Sequence, residues 1–156
     1  MRPLQHDARI IRLMGPTTVV LDTNVLESAL RSRRGASFLV LSLVGTGRFG
    51  IAVSVPLVLE YEDVLLRGSG DAGRTVKKVR DLLDYLCVTA KRQRIFFRWR
   101  PTLIDPSDDM VLELAVAAGC KVIVTHNRRH FHGVAPFGIR VLSPADFLGE
   151  IGYFDE

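Results

Sequence analysis

Four places in the chain set acids or amides where they could act together. The first is Asp22-Thr23-Asn24, directly after the run Thr18-Val19-Val20-Leu21. That run is β-branched and apolar without alternation, as in a strand buried on both faces of a parallel sheet. A carboxylate at the carboxyl end of such a strand, above a helix start, lies where open α/β sheets bind their ligands. Asp22 or Thr23 could equally serve only as the cap of that helix. The second place is Glu60, Glu62 and Asp63. At about 100° per residue, Leu57, Val58, Tyr61, Val64 and Leu65 make a buried stripe. Glu60 and Glu62 flank it on opposite edges, Asp63 points away, and spacing does not choose between the two glutamates. The third is Asp105-Pro106-Ser107-Asp108. Asp105 is an N-cap signal and Asp108 sits where a capping-box acid would. Asp108 also shares a helix side with Val111, Leu112 and Ala115, so it faces inward and needs a metal, a cation or a hydrogen-bond partner. Asp109, one step round, is expected in solvent. The fourth is Thr125-His126-Asn127, after the buried run Lys121 to Val124. Asn127 offers a carbonyl oxygen to a hard cation, and Thr125 could hold a metal-bound water. His126, His130 and His132 share a short loop with no cysteine partner, so oxygen ligands and Mg²⁺ or Mn²⁺ suit the set better than zinc.

The elements that must carry these groups alternate. Strands are expected at Thr18–Leu21, Phe49–Val53, Arg94–Trp99, Lys121–Val124 and Gly138–Leu142. Helices are expected to about Arg34, from Ser37 to Gly45, from Ser54 to about Arg67, over Val76–Leu86, from Asp105 to Ala118, and from Ser143 to about Gly149. Gly68 to Gly73 reads as a turn. This pattern predicts an α/β fold of three layers around a mainly parallel five-stranded sheet. With 156 residues, a hydrophobic fraction of 47% and a mean hydropathy of +0.19, one domain with a sizeable core is expected. The expected division is a basic leader over 1–16, a domain over 17–150 and a tail over 151–156. No apolar run reaches the roughly 18 residues of a membrane span, and the leader lacks the apolar centre of a signal peptide. Cys87 and Cys120 read as thiols of a reducing cytoplasm. The net charge of +4 permits a polyanionic partner without demanding one.

Four segments together resemble PIN domains, in particular the VapC-like toxin components of bacteria: VVLDTNVL at Val19–Leu26, SVPLVLEYEDVL at Ser54–Leu65, DPSDDMVLELAVAAG at Asp105–Gly119, and VIVTHNRRHF at Val122–Phe131. The resemblance implies the sheet order 3-2-1-4-5 and a metal-dependent ribonuclease that leaves a 5′-phosphate and a 3′-hydroxyl. By motif, Asp22, Glu60 and Asp108 would be its catalytic, metal-holding acids. Asn127 would be the fourth ligand, where aspartate is commoner. Asn24 and Thr125 would support them. Glu60 rather than Glu62 is thus singled out by resemblance alone. Arg128 and Arg129 would grip the RNA backbone, as would cations among Lys91, Arg92, Arg94, Arg74, Lys77, Lys78 and Arg80. A small antitoxin protein and a second copy of the chain are further implied partners. Three other readings compete, one of them a domain that works mainly by binding a protein partner. A phosphatase of the haloacid dehalogenase kind wants an aspartate two residues after Asp22, where Asn24 stands. A non-catalytic RNA-binding PIN domain would have lost its metal at Asn127.

Overall fold

Val19, Val20 and Leu21 are each buried to within 1% of complete, so the strand they form is covered on both faces. This strand, β1 (Thr18–Leu21), is the middle of the sheet. The computed structural model describes residues 17–68, 74–95 and 105–155. On one side β1 pairs with β2 (Gly50–Val53), Val19 opposite Ile51. On the other it pairs with β4 (Val122–Val124), Leu21 opposite Val124. Beyond these lie β3 (Lys91–Arg92) and β5 (Arg140–Leu142). Every pairing is parallel, in the order β3-β2-β1-β4-β5. This three-layer α/β arrangement with the order 3-2-1-4-5 is the one expected.

The described residues form six α-helices, five between strands and one after β5: α1 (Thr23–Arg31), α2 (Ala36–Leu43), α3 (Val55–Arg67), α4 (Val76–Thr89), α5 (Pro106–Ala117) and α6 (Pro144–Glu150). All but α2, which follows Gly35, start on a side chain that caps the helix. Ser54 Oγ accepts from Leu57 N, Thr75 Oγ1 from Lys78 N and Ser143 Oγ from Asp146 N. Pro56 and Pro144 sit in first turns, where a missing N–H costs nothing. The core gathers Leu26, Leu57, Tyr61, Leu112, Ile123 and Phe147, and Phe147 meets Phe49 edge to face at 4.9 Å.

Three expectations are corrected. The third strand is Lys91–Arg92, not Arg94–Trp99; Arg94 and Ile95 are irregular, and 96–99 lie outside the described residues. An edge strand of two exposed, charged residues carries no apolar pattern, so the nearby aromatic run looked the better strand. The first helix ends at Arg31, three residues short, with Ser32 already extended. In the stripe of α3, Leu57, Tyr61 and Leu65 are buried but Val58 and Val64 only half so. Of the Gly68–Gly73 turn, and of the 1–16 leader, residues 69–73 and all of 1–16 fall outside the described residues.

Candidate active site

At the carboxyl end of β1 the chain turns into α1 through Asp22, whose Oδ1 accepts from Thr23 N at 2.8 Å. The capping role is therefore real, and it uses one carboxylate oxygen. The other, Oδ2, accepts from the hydroxyl of Thr125 at 2.7 Å and from Asn24 Nδ2 at 3.3 Å. Thr125 is fully buried at the end of β4, next to β1 in the sheet. Its Oγ1 also accepts from Asn24 Nδ2 at 3.2 Å and from Asn127 N at 3.0 Å. Asn24 Oδ1 takes His126 N at 3.2 Å, and His126 Nε2 lies 2.6 Å from Ser37 Oγ at the start of α2. Asp22, Asn24, Thr125 and the backbone of Asn127 are thus one hydrogen-bonded unit across two adjacent strand ends. Burial pushes the Asp22 carboxyl above its ordinary pKa, while the bonds from Thr125 and Thr23 oppose the rise.

The second acid comes from α5. Asp105 caps this helix, Oδ1 accepting from Ser107 N at 2.9 Å. Asp108, one turn in, is 6% exposed. Its pKa is pushed up to about 6, first by burial, then by the charges of Asp22 and Asp105. His130 Nδ1 stands 3.3 Å from Asp108 Oδ2 and pulls the other way. The carboxyl of Asp108 on α5 thus feels the charge of Asp22 just past β1, which disfavours its own ionisation.

Glu60 stands apart. Its neighbour Tyr61 is buried, donates its hydroxyl to the carbonyl of Leu21, and feels the charge of Asp22. That contact docks α3 on the end of β1. Glu60 and Glu62 are both half-buried, so burial does not separate them either. Among the described residues no three acids, histidines or cysteines come close enough to hold an ion. Asn127 is exposed, and so are Arg128, 3.5 Å from Asp146, and Arg129.

Two residues carry more of the site than their sequence signals suggest. Asp105 acts electrostatically on both Asp22 and Asp108 beyond its role as a cap. His130 reaches Asp108 because the 3-10 turn Arg128–Phe131 buries Phe131 and turns the imidazole back over α5. Its spacing from buried Phe131 was the available signal. Two assignments are reversed: Asp109 is 8% exposed rather than in solvent, and Arg74, named as a backbone grip, is also 8% exposed. The Arg74 guanidinium lies over Gly68 at the end of α3, where a Cβ would collide with it.

Chemically, the pair offers hard oxygen donors without a thiolate, on carboxyls whose surroundings penalise unscreened negative charge. Such donors fit a hard divalent cation better than a soft one.

The PIN domain profile matches residues 18–129, from the first residue of β1 to just past Asn127. No curated protein sequence matches the chain. Among solved structures, VapBC2 from Rickettsia felis, bound to a DNA fragment from its promoter, superposes with a TM-score of 0.56 at 14% identity, over 81% of this chain and 98% of that one. VapBC-1 from nontypeable Haemophilus influenzae gives 0.50 at 13% identity, over 83% and 99%. At such identities the likeness is one of fold. The profile, spanning every strand-end acid and amide described above, decides the family: the chain belongs to the PIN domain family.

Proposed function

We propose that the protein is a divalent-cation-dependent endoribonuclease, the toxin member of a toxin–antitoxin pair. The observation that carries this reading is the buried couple of Asp22 and Asp108, two carboxylates of which the first raises the pKa of the second. Asp22 and Asp108 would hold Mg²⁺ or Mn²⁺, with Glu60 and the Asn127 carbonyl completing the set. When bound, such a cation neutralises phosphodiester charge and lowers the pKa of a coordinated water.

The chain's own contribution is positioning. Thr23 N–H and the Thr125 hydroxyl fix both oxygens of Asp22, so that the carboxylate enters the reaction without reorganising. Asn24 ties the β1 end to the β4 end, holding Asn127 in register with Asp22. His130, half-exposed beside Asp108, places an imidazole at the mouth of the site, where a phosphate would enter. Arg128 and Arg129 are exposed on the following turn and suit backbone contacts. Hydrolysis would leave a 5′-phosphate and a 3′-hydroxyl. The shared fold with two VapBC complexes supports an antitoxin as the protein partner.

The test is cleavage of single-stranded RNA by purified protein in Mg²⁺ or Mn²⁺, repeated in EDTA and with Asp22→Asn and Asp108→Asn. Activity is expected only with the cation and only in the wild type. Cleavage that persists in EDTA would remove the metal-dependent reading. A second reading, a non-catalytic RNA-binding domain, draws on Asn127 and on the absence, among the described residues, of three acids, histidines or cysteines grouped to hold an ion; RNA binding without cleavage at any cation concentration would establish it.

A further inference from the structure

Within α2 the Ser42 hydroxyl donates to Leu39 O at 2.8 Å, and at the end of α4 the Thr89 hydroxyl donates to Tyr85 O at 2.9 Å. Bonding back to its own helix is the ordinary way for such a group to satisfy itself. Ser37, in the first turn of the same α2, does otherwise. Its side chain meets one that is 89 positions away in sequence: Ser37 Oγ lies 2.6 Å from His126 Nε2, one of the two donating to the other. The partners differ in setting, since Ser37 is 1% exposed and His126 stands in solvent. An exposed side chain ordinarily changes rotamer freely; this imidazole is tied to a buried point of the fold. α2 has no side-chain cap at its start, but it packs on α1 and α6 and Val40 within it is fully buried. The anchor is thus a firmly seated helix, and what it anchors is the turn after β4.

That turn carries part of the site. Thr125 donates to Asp22 Oδ2, Asn127 N donates to Thr125 Oγ1, and between them His126 N donates to Asn24 Oδ1. These bonds hold the turn to the end of β1 and the start of α1. The Ser37 contact holds it from another element, the start of α2. A turn tied along one edge can still swing about that edge, and a tether from a second element removes the swing. We infer that Ser37 is a positioning residue: through the His126 imidazole it fixes the Thr125–Asn127 turn, and with it the aim of the Thr125 hydroxyl on Asp22 and the place of Asn127. The inference rests on the ribonuclease reading, in which Asp22 and Asn127 hold the cation, and adds a residue that acts on them only through others. Partners standing behind metal ligands set the ligands' orientation and so the affinity for the ion. A merely structural Ser37, a buried hydroxyl finding an acceptor, would steady α2 and leave the turn as it is.

The test compares wild type, Ser37→Ala, His126→Ala, the double variant, and Ser42→Ala as a control on the same helix. Amide hydrogen exchange by NMR in EDTA reads the turn directly, because the His126 and Asn127 amides are both bonded in it. Ser37→Ala is expected to speed their exchange about fivefold, the worth of one hydrogen bond expressed as easier local opening. Calorimetry with Mn²⁺ reads the consequence: Ser37→Ala should weaken affinity roughly tenfold, the lower end for losing a partner behind a ligand. Ser42→Ala should change neither quantity. The double variant should bind Mn²⁺ no more weakly than His126→Ala, since the two side chains act as one unit. Wild-type Mn²⁺ affinity in Ser37→Ala overturns the inference and leaves the ribonuclease reading standing, as does exchange that quickens in α2 alone. Wild type that binds no Mn²⁺ overturns that reading, and the inference with it.

Discussion

Burial and two neighbouring carboxylates work against the charge of Asp108, and that has a sign in pH. Its folded pKa, about 6, lies above the ordinary 3.8, so the folded chain holds the proton more tightly than the unfolded one. Stability should therefore be fullest below about pH 4 and be lost as pH rises through about 6, at a cost on the order of 2 kcal/mol for this one group. Asp108→Asn should remove that slope. In EDTA at pH 7 the variant is expected to be as stable as wild type or more so, in urea titrations taken across pH 4 to 7. With millimolar Mn²⁺ the order should reverse, since wild type alone gains the binding free energy. A variant that loses stability in EDTA and keeps the Mn²⁺ gain would make Asp108 a helix-start acid and nothing more. Asn127→Asp should tighten Mn²⁺ binding in calorimetry by adding a fourth negative ligand; unchanged affinity would place position 127 outside the cation's reach. The strand-end position of Asp22 and the inward side of Asp108 were legible because each follows from a short local pattern. The roles of His130 and Asp105 were not, because they act through space on residues from other elements. Asp109 was misread for a related reason: helical spacing tells which side of a helix is apolar, not what covers its other sides.

Elements were legible where their ends carry chemistry. Ser54, Thr75, Asp105 and Ser143 all cap the helices they precede. The edge strand β3 was not, since Lys91 and Arg92 are exposed and, among the described residues, pair only with Ala52 and Val53. The docking of α3 depends on the Tyr61 hydroxyl at the Leu21 carbonyl, deep in the core. Tyr61→Phe should cost about 1–3 kcal/mol in chemical denaturation, the range for taking the donor from a buried acceptor. A tighter constraint closes α2. Gly45 has φ of +83°, and a Cβ there would overlap the Tyr85 hydroxyl, which itself donates to Val44 O at 2.8 Å. Gly45→Ala should therefore cost about 2 kcal/mol or more, from backbone strain together with the displaced ring. A melting temperature within a degree of wild type would show that α4 yields there.

At the scale of the whole molecule, alternation of buried strands with amphipathic helices was enough for the fold class, because a parallel sheet leaves unbroken apolar runs that few other structures need. The strand order was legible only through the resemblance, since periodicity does not say which strands are neighbours. Among the described residues no helix is long and apolar enough to cross a membrane. The order 3-2-1-4-5 places β1 between one strand nearby in the chain and one far along it, and the Thr125 to Asp22 bond joins positions 103 residues apart. Synthesis runs from the amino end at about 5–20 residues per second. For several seconds after Asp22 leaves the ribosome, its strand has β2 to pair with and nothing on the other side. Asp108 and Thr125 do not yet exist. An interrupted chain, however well its first half folds, carries one acid of a pair and no hydroxyl to aim it, so this end of the sheet is completed only once the second half has been made.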